Sequence, residues 1–367
     1  MIEHPIWSFA YTKPSHAILM GTTTTVAFFS NSLLIYIVAT TKADHIGAYR
    51  YLLVFFAICN ITTSIGHLAF QWVHEYCCHM TSIGFYFFPK HLGSIVFGVS
   101  TSSIFCWMFI VTYYQVFLIL AFHFIYRYKT VTRGFGNSFT DNWKMKHWIL
   151  AAMIAYVLYI GAFVSTVAIG MAPDAQNRAD VPEIVPEIIE IYGMDLTDER
   201  TGYIYLGMRR VDPVTKEMYW SAQSTIAISL CVLLFGGTGA VVVYCIVKTN
   251  AAIKSETNLL TSTTRRMQRQ LFKALLVQTT IPCLFSYTPL LVILLWGGLT
   301  GIALGSFGNA LFVITAIFPS VDSFFVLFFI AKFRAAVVKL FGLPARWAKS
   351  GSSVEAPRAP TTTAFTK

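Results

Sequence analysis

Asp322 lies in Ala274–Ala331, a run of 58 residues that holds no other Asp, Glu, Lys or Arg. A carboxylate in apolar surroundings is costly and is expected to face an interior with polar partners. Two amides qualify by depth. Asp322 is nine residues from Ala331, Asn31 nine from Thr40 and Asn60 ten from Arg50. In helices rising ~1.5 Å per residue all three then fall ~13–15 Å from a common end. Such a trio serves either as a polar cluster that rearranges, holding water or a cation, or as static hydrogen bonding between helices. A second set, His74, Cys77, Cys78 and His79, has loosely metal-like spacing. It lacks a further ligand at a known spacing and reads as interfacial residues. The sequence has no Gly-rich phosphate loop, nucleophile elbow or intramembrane acid pair. No catalytic set, metal site or cofactor is expected.

The elements that must position these residues follow from composition. Of 367 residues, 56% are apolar and 12% charged, against ~45–50% and ~25% in soluble chains. That balance excludes a soluble enzyme, a disordered chain and a fibre. Charge-free runs cover Pro14–Thr41, Tyr51–His74, His91–Tyr126, Trp148–Pro173 and Met218–Val247, each longer than the ~20 residues that cross a hydrocarbon core. The run around Asp322 would make a helix ~87 Å long, so it must fold back, with Trp296–Gly301 as the turn. The expected fold is an all-α membrane protein, a seven-transmembrane helix bundle. Its spans fall near 16–40, 51–73, 92–126, 148–171, 220–247, 272–296 and 302–330. The first run is too long for a signal h-region and is read as the first span. With the N-terminus outside, 20 of the 27 Lys and Arg fall inside, which predicts residues 1–15 outside and the C-terminus inside. The net charge of +10 is then mostly a property of the cytoplasmic face, and nucleic acid is not expected as a partner.

Residues 172–219 form a long outer loop with ten acids and five basic residues, either a lid over the outer mouth of the bundle or a solvated acidic loop. Residues 332–342 place Phe333, Val337 and Phe341 on one side and Lys332, Arg334 and Lys339 on the other. That pattern suits a short amphipathic helix on the inner leaflet after the seventh span. Residues 343–367 read as a disordered cytoplasmic tail. Pro282 and Pro289 should bend the sixth span and act as its hinge. A ligand arriving from outside would meet Ser100, Ser103 and Trp107 on one face of the third span, His67 and Gln71 on the second, Tyr287 on the sixth and Asn309 on the seventh. These side chains also serve helix packing. A site built from them is small and mostly apolar, suited to a small volatile or semi-polar molecule.

Four stretches then carry a family likeness. They are Asn31-Ser32-Leu33-Leu34-Ile35-Tyr36 with Gly47-Ala48-Tyr49-Arg50; His123-Phe124-Ile125-Tyr126-Arg127-Tyr128; Gln270-Leu271-Phe272-Lys273-Ala274-Leu275 through Pro282; and Phe318-Pro319-Ser320-Val321-Asp322 through Phe333-Arg334. In this order the chain resembles the nematode serpentine chemoreceptors of the Str family, seven-transmembrane G-protein-coupled receptors. Ser323 stands where that family tends to have Pro, and Phe333 where it tends to have Tyr. The resemblance implies a receptor in the plasma membrane, often of sensory-neuron cilia, that passes ligand binding to a heterotrimeric G protein. It casts Asn31, Asn60 and Asp322 as an activation network. It also marks Arg127, between Tyr126 and Tyr128, as a coupling residue, joined by the basic foot of the sixth span, Arg265, Arg266, Arg269 and Lys273. The competing reading is a seven-span transporter or ligand-gated channel. Against it, no second charged residue lines a path beside Asp322, and the two halves of the chain show no repeat.

Overall fold

The computed structural model describes residues 5–12, 14–41, 49–132, 145–171, 185–212, 214–254, 269, 272–273, 275–277, 279–344 and 347. In lipid a backbone must satisfy its own polar groups, and a helix does so within one segment. Among the described residues seven helices are long and apolar enough to cross a membrane. They are α1 (Ser15–Thr40), α2 (Tyr49–His74), α3 (Thr101–Thr132), α4 (Met145–Met171), α6 (Ala222–Lys254), α7 (Leu275–Thr300) and α8 (Phe307–Phe329). Two shorter α-helices are also described: α5 (Val185–Tyr192), before α6, and α9 (Ala331–Leu340), after α8. Within the spans, Thr hydroxyls bond back to carbonyls four residues earlier, as Thr25 does to Gly21 and Thr166 to Ala162, so they cost little in lipid. α1 packs against α2 and α8, and α6 packs against α3 and α4. α8 is the most enclosed span and α4 the least. Apolar side chains such as Val157 and Leu233 stay exposed, as expected where the solvent is hydrocarbon.

Two of the expected boundaries shift. The third span was expected from residue 92, yet its helix starts at Thr101. Residues before it form a hairpin of β3 (Ile95–Val96) and β4 (Val99–Ser100). Phe97 and Gly98 make its turn, both with positive φ, the pattern of tight hairpin turns. The expected turn at Trp296–Gly301 is helical almost to its end, and only Gly301, at φ 70°, leaves the helix. Gly297, inside the helix, lets α7 press closely on a neighbouring loop. A Cβ would stand 2.4 Å from the Thr81 carbonyl oxygen.

The all-α expectation describes the spans but not the end of the bundle near the N-terminus. There β1 (Tyr76–Met80), β2 (Phe85–Pro89) and β5 (Ile204–Leu206) form an antiparallel sheet, with Cys78 opposite Phe87 and Tyr86 opposite Tyr205. Its side chains alternate between two cores. Tyr76, Cys78, Met80, Phe85, Phe87, Ile204 and Leu206 face the bundle. Cys77, Tyr86, Phe88, Tyr203 and Tyr205 face an outer layer made by Ile188 and Tyr192 of α5, Met194, Leu196 and Tyr11. The free edge of β1 is closed by a reciprocal backbone pair, Met80 N–H to Gly305 oxygen at 2.9 Å and Gly305 N–H to Met80 oxygen at 2.7 Å. A second hairpin, β6 (Arg209–Val211) with β7 (Met218–Trp220), leads into α6. We call this the sheet end, and the opposite one, where α9 lies, the tail end.

Candidate functional site

The depth arithmetic holds. Asn31 of α1, Asn60 of α2 and Asp322 of α8 meet in one buried cluster. The Asn60 amide donates to Asp322 Oδ2 at 3.2 Å and to Asn31 Oδ1 at 3.3 Å. The Ser323 hydroxyl donates to the same Asn31 oxygen. The Asn31 amide nitrogen donates to the Ala27 oxygen at 2.8 Å and the Pro319 oxygen at 3.0 Å. Ser30 donates to the Ser320 oxygen at 3.1 Å, and Ser320 to the Thr23 oxygen at 2.8 Å. All six polar side chains are nearly or fully buried. One amide thus grips the α8 backbone at Pro319 while its oxygen collects donors from α2 and α8. In the sequence Ser323 stands out only as a departure from the family pattern and Ser320 only as part of a family stretch, while Ser30 carries no motif of its own. Their spacing next to Asn31 and Asp322 was the available signal.

The proposed ligand positions do not gather in one place. His67 and Asn309 border a small cavity of about 10 Å³ with His16, Phe109, Phe312 and Thr315, room for about one water as it stands. Aromatic rings fill the surrounding space. His67 stacks on Phe109 at 4.6 Å, and Phe109, Phe87 and Phe312 lie 5.0–5.4 Å from one another. Ser100 stands in β4 rather than on α3, so the supposed helical face does not include it, and its hydroxyl donates to the Arg200 oxygen at 2.6 Å. Ser103 is buried against Gly202. Trp107 packs on the bundle core. Tyr287 belongs to a separate aromatic group, 4.0 Å from Phe117 and 3.5 Å by its hydroxyl from Thr238. The side chains of Gln71 and Arg127 lie outside the described residues, as do Arg265 and Arg266 altogether.

Asn309 has a second role. Its oxygen accepts the Cys78 backbone N–H at 2.8 Å, and its nitrogen donates to the Tyr192 hydroxyl at 2.9 Å. The His79 ring lies 3.3 Å from that hydroxyl and 3.5 Å from Glu187. One amide therefore ties α8 to β1 and to α5. The hydrogen bond from His79 holds the Glu187 carboxyl below its ordinary range, against the opposing effect of burial. Burial pushes the Cys77 thiol up to about 12 and raises Cys78 as well, so both are protonated packing groups. Among the described residues no three His, Cys, Asp or Glu stand close enough to share a metal.

In α7, the five residues Cys283–Tyr287 are π-helical. The Cys283 oxygen receives both the Thr288 backbone N–H and, at 2.9 Å, the Thr288 hydroxyl. This irregular turn sits between Pro282 and Pro289, the two residues expected to act as a hinge. Removed backbone donors are a known cause of such local rewinding. At the tail end Tyr126 packs edge-on to Trp148, and Tyr128 edge-on to Tyr244. Arg269, Lys273, Lys332 and Lys339 are exposed. Phe333 is buried against the bundle, and Arg334 donates to the Phe328 oxygen at 2.6 Å.

Known proteins agree with this architecture. Residues 17–338 match the family described as serpentine type 7TM GPCR chemoreceptor Str. The chain belongs to that family. It is 24% identical over 322 residues to G-protein coupled receptor str-33 of Caenorhabditis elegans, covering 86% of this chain and 87% of that protein. It is 21% identical to serpentine receptor class r-10 of the same nematode, over 85% and 87% of the two chains. Squid rhodopsin superposes with a TM-score of 0.51 at 13% identity, over 98% and 97% of the two chains, a likeness of fold. This Str-family chain is thus a multi-pass membrane protein of the GPCR receptor type, in a family of receptors rather than enzymes.

Proposed function

We propose that this Str-family chain is a chemosensory receptor that turns ligand binding at the sheet end into activation of a heterotrimeric G protein at the tail end. The sheet end lies outside the cell, consistent with the distribution of Lys and Arg, and the ciliary membrane of sensory neurons is the expected address. One observation carries the reading. α8 borders the small pocket with Asn309, Phe312 and Thr315, and it enters the buried cluster with Asp322 and Ser323. A small ligand that shifts α8 at one level therefore disturbs its bonding to α1 and α2 at the next. The ligand class is a small, mostly apolar molecule with few polar groups. Arg127 and the exposed Arg269 and Lys273 would meet the acidic groups of a Gα subunit, where complementary charge speeds encounter and sets register.

A second-messenger screen of small odorants, with a promiscuous Gα in the same cells, tests the reading. A ligand-evoked signal that Arg127→Ala removes at normal surface level supports it. Ligand-evoked current or tracer uptake without a G protein would instead make the chain a channel or transporter.

A further inference from the structure

The β3–β4 hairpin exposes apolar groups that a water-facing loop would hide. Phe97 is fully exposed, and Leu92, Ile95, Val96 and Val99 are each about half exposed. No Asp, Glu, Lys or Arg occurs from His91 to Tyr126. The hairpin is held out rather than left loose. The Gly93 N–H and the Ser100 hydroxyl both donate to the Arg200 oxygen, at 3.0 and 2.6 Å. The Ser94 N–H donates to the Thr101 hydroxyl at 3.0 Å. The polarity of the mount is telling: an Asp198–Arg200 ion pair of 2.7 Å lies by the base, and the apolar side chains lie at the tip. A contiguous apolar patch of this kind marks a contact surface.

Two features say what covers it. First, the hairpin leads directly into the span α3, whose apolar Ile104 and Met108 are also exposed. Second, the β6–β7 hairpin joins its own span in the same way and supplies a contrast. β7 exposes Met218, Tyr219 and Trp220 just before α6, with the Arg209 guanidinium 5.0 Å from the Trp220 ring, as in the aromatic belt at a membrane surface. Its turn, however, carries Asp212, Lys216 and Glu217. Two hairpins thus start beside membrane spans, one with a charged tip and one with an apolar tip. We propose that the β3–β4 hairpin is a leaflet anchor, with Phe97 and its neighbours seated at the headgroup–acyl boundary of the sheet-end leaflet. Its occupant is lipid. Because the base bonds to Arg200, in the chain between α5 and β5, the leaflet then helps to fix the position of the sheet.

Photocrosslinking of the full chain in cell membranes tests this. Phe97→p-benzoylphenylalanine keeps an aromatic side chain, and Val214→p-benzoylphenylalanine on the charged turn is the aqueous reference. Partition of an aromatic side chain from water to an apolar phase predicts at least about ten-fold more lipid adduct at position 97 than at 214. Equal, low lipid labelling at both positions overturns the proposal. So does a crosslink from position 97 to a second copy or to another protein. Should the first variant fail to reach the membrane, Val96→p-benzoylphenylalanine is read by the same criteria.

Discussion

The two ends of the bundle are built differently. At the sheet end, the residues of β1, β2 and β5 are all buried, and the sheet sits between two apolar layers, tied to α8 through Asn309 and to the connection before it through Gly305. At the tail end Arg269, Lys273, Lys332 and Lys339 point into solvent, and α9 is held by the buried Phe333, Arg334 and Val338. A stiff frame can turn a small ligand's contacts into a directed shift, whereas a docking surface has to stay open. Under the proposed function, ligand selectivity is then a property of packing and coupling a property of surface charge.

The largest expected effect lies in the sheet. A Cβ on Gly84 would fall 2.1 Å from the Leu206 backbone oxygen, so Gly84→Ala must part β2 from β5. Overpacking against backbone costs about 1–3 kcal/mol or more. We expect loss of monodisperse protein or a large drop in melting temperature in detergent. Gly237→Ala in α6, where nothing lies within 4 Å, should be neutral or stabilising by up to ~1 kcal/mol. Equal melting of the two variants would remove the contrast between the tightly packed sheet and an open stretch of a span.

Next comes the buried cluster between the two ends. Asn31→Ala removes the acceptor of Asn60 and Ser323 and the donor to Pro319. Leaving such groups unsatisfied costs about 1–3 kcal/mol. Asn31→Ala, Asn60→Ala and Asp322→Ala should each depress signalling in cells whose surface staining is normal. Normal signalling from all three would make the cluster static glue.

Smaller effects sharpen the picture of the sheet end. Asn309→Leu strands the Cys78 N–H and unties the Tyr192 hydroxyl, again about 1–3 kcal/mol, while Tyr192→Phe should cost ~1 kcal/mol. The double variant should cost less than the sum, because the two changes break one shared bond. The smallest effect is a pH dependence. Glu187 has a depressed folded-state pKa, so its contribution is present above the ordinary carboxylate value of 4.5 and is lost as pH falls through the folded value. Melting curves of solubilised protein below pH 4.5 should therefore fall more steeply for the parent than for Glu187→Gln. Parallel curves would remove Glu187 from the ties between α5 and β1.

What the sequence revealed follows the same division. Spans are written in charge-free length, a local property, and the amides near Asp322 could be matched by counting residues from helix ends. The sheet was hidden for two reasons. Tyr76–Met80 and Phe85–Pro89 are buried on both faces, so they lack the polar–apolar alternation that marks a strand. Their third partner, Ile204–Leu206, sits far along a loop read mainly by its acids. The ligand positions scattered because Ser100 precedes the helix it was assigned to and Ser103 is covered by Gly202. The π-helical turn at Cys283–Tyr287 depends on how Pro289 is accommodated, which composition does not encode.

The sheet also sets a timetable. Phe87 pairs with Ile204, so β2 leaves the ribosome more than a hundred residues before its partner. At about 5–20 residues per second the interval is roughly 6–25 s, and during it α3 and α4 must be threaded into the bilayer. Throughout that wait the hairpin of β1 and β2 presents an unpaired aromatic edge, the kind of surface that templates aggregation. Between synthesis of the second and fifth spans, then, this chain carries a strand edge that its own later residues cover.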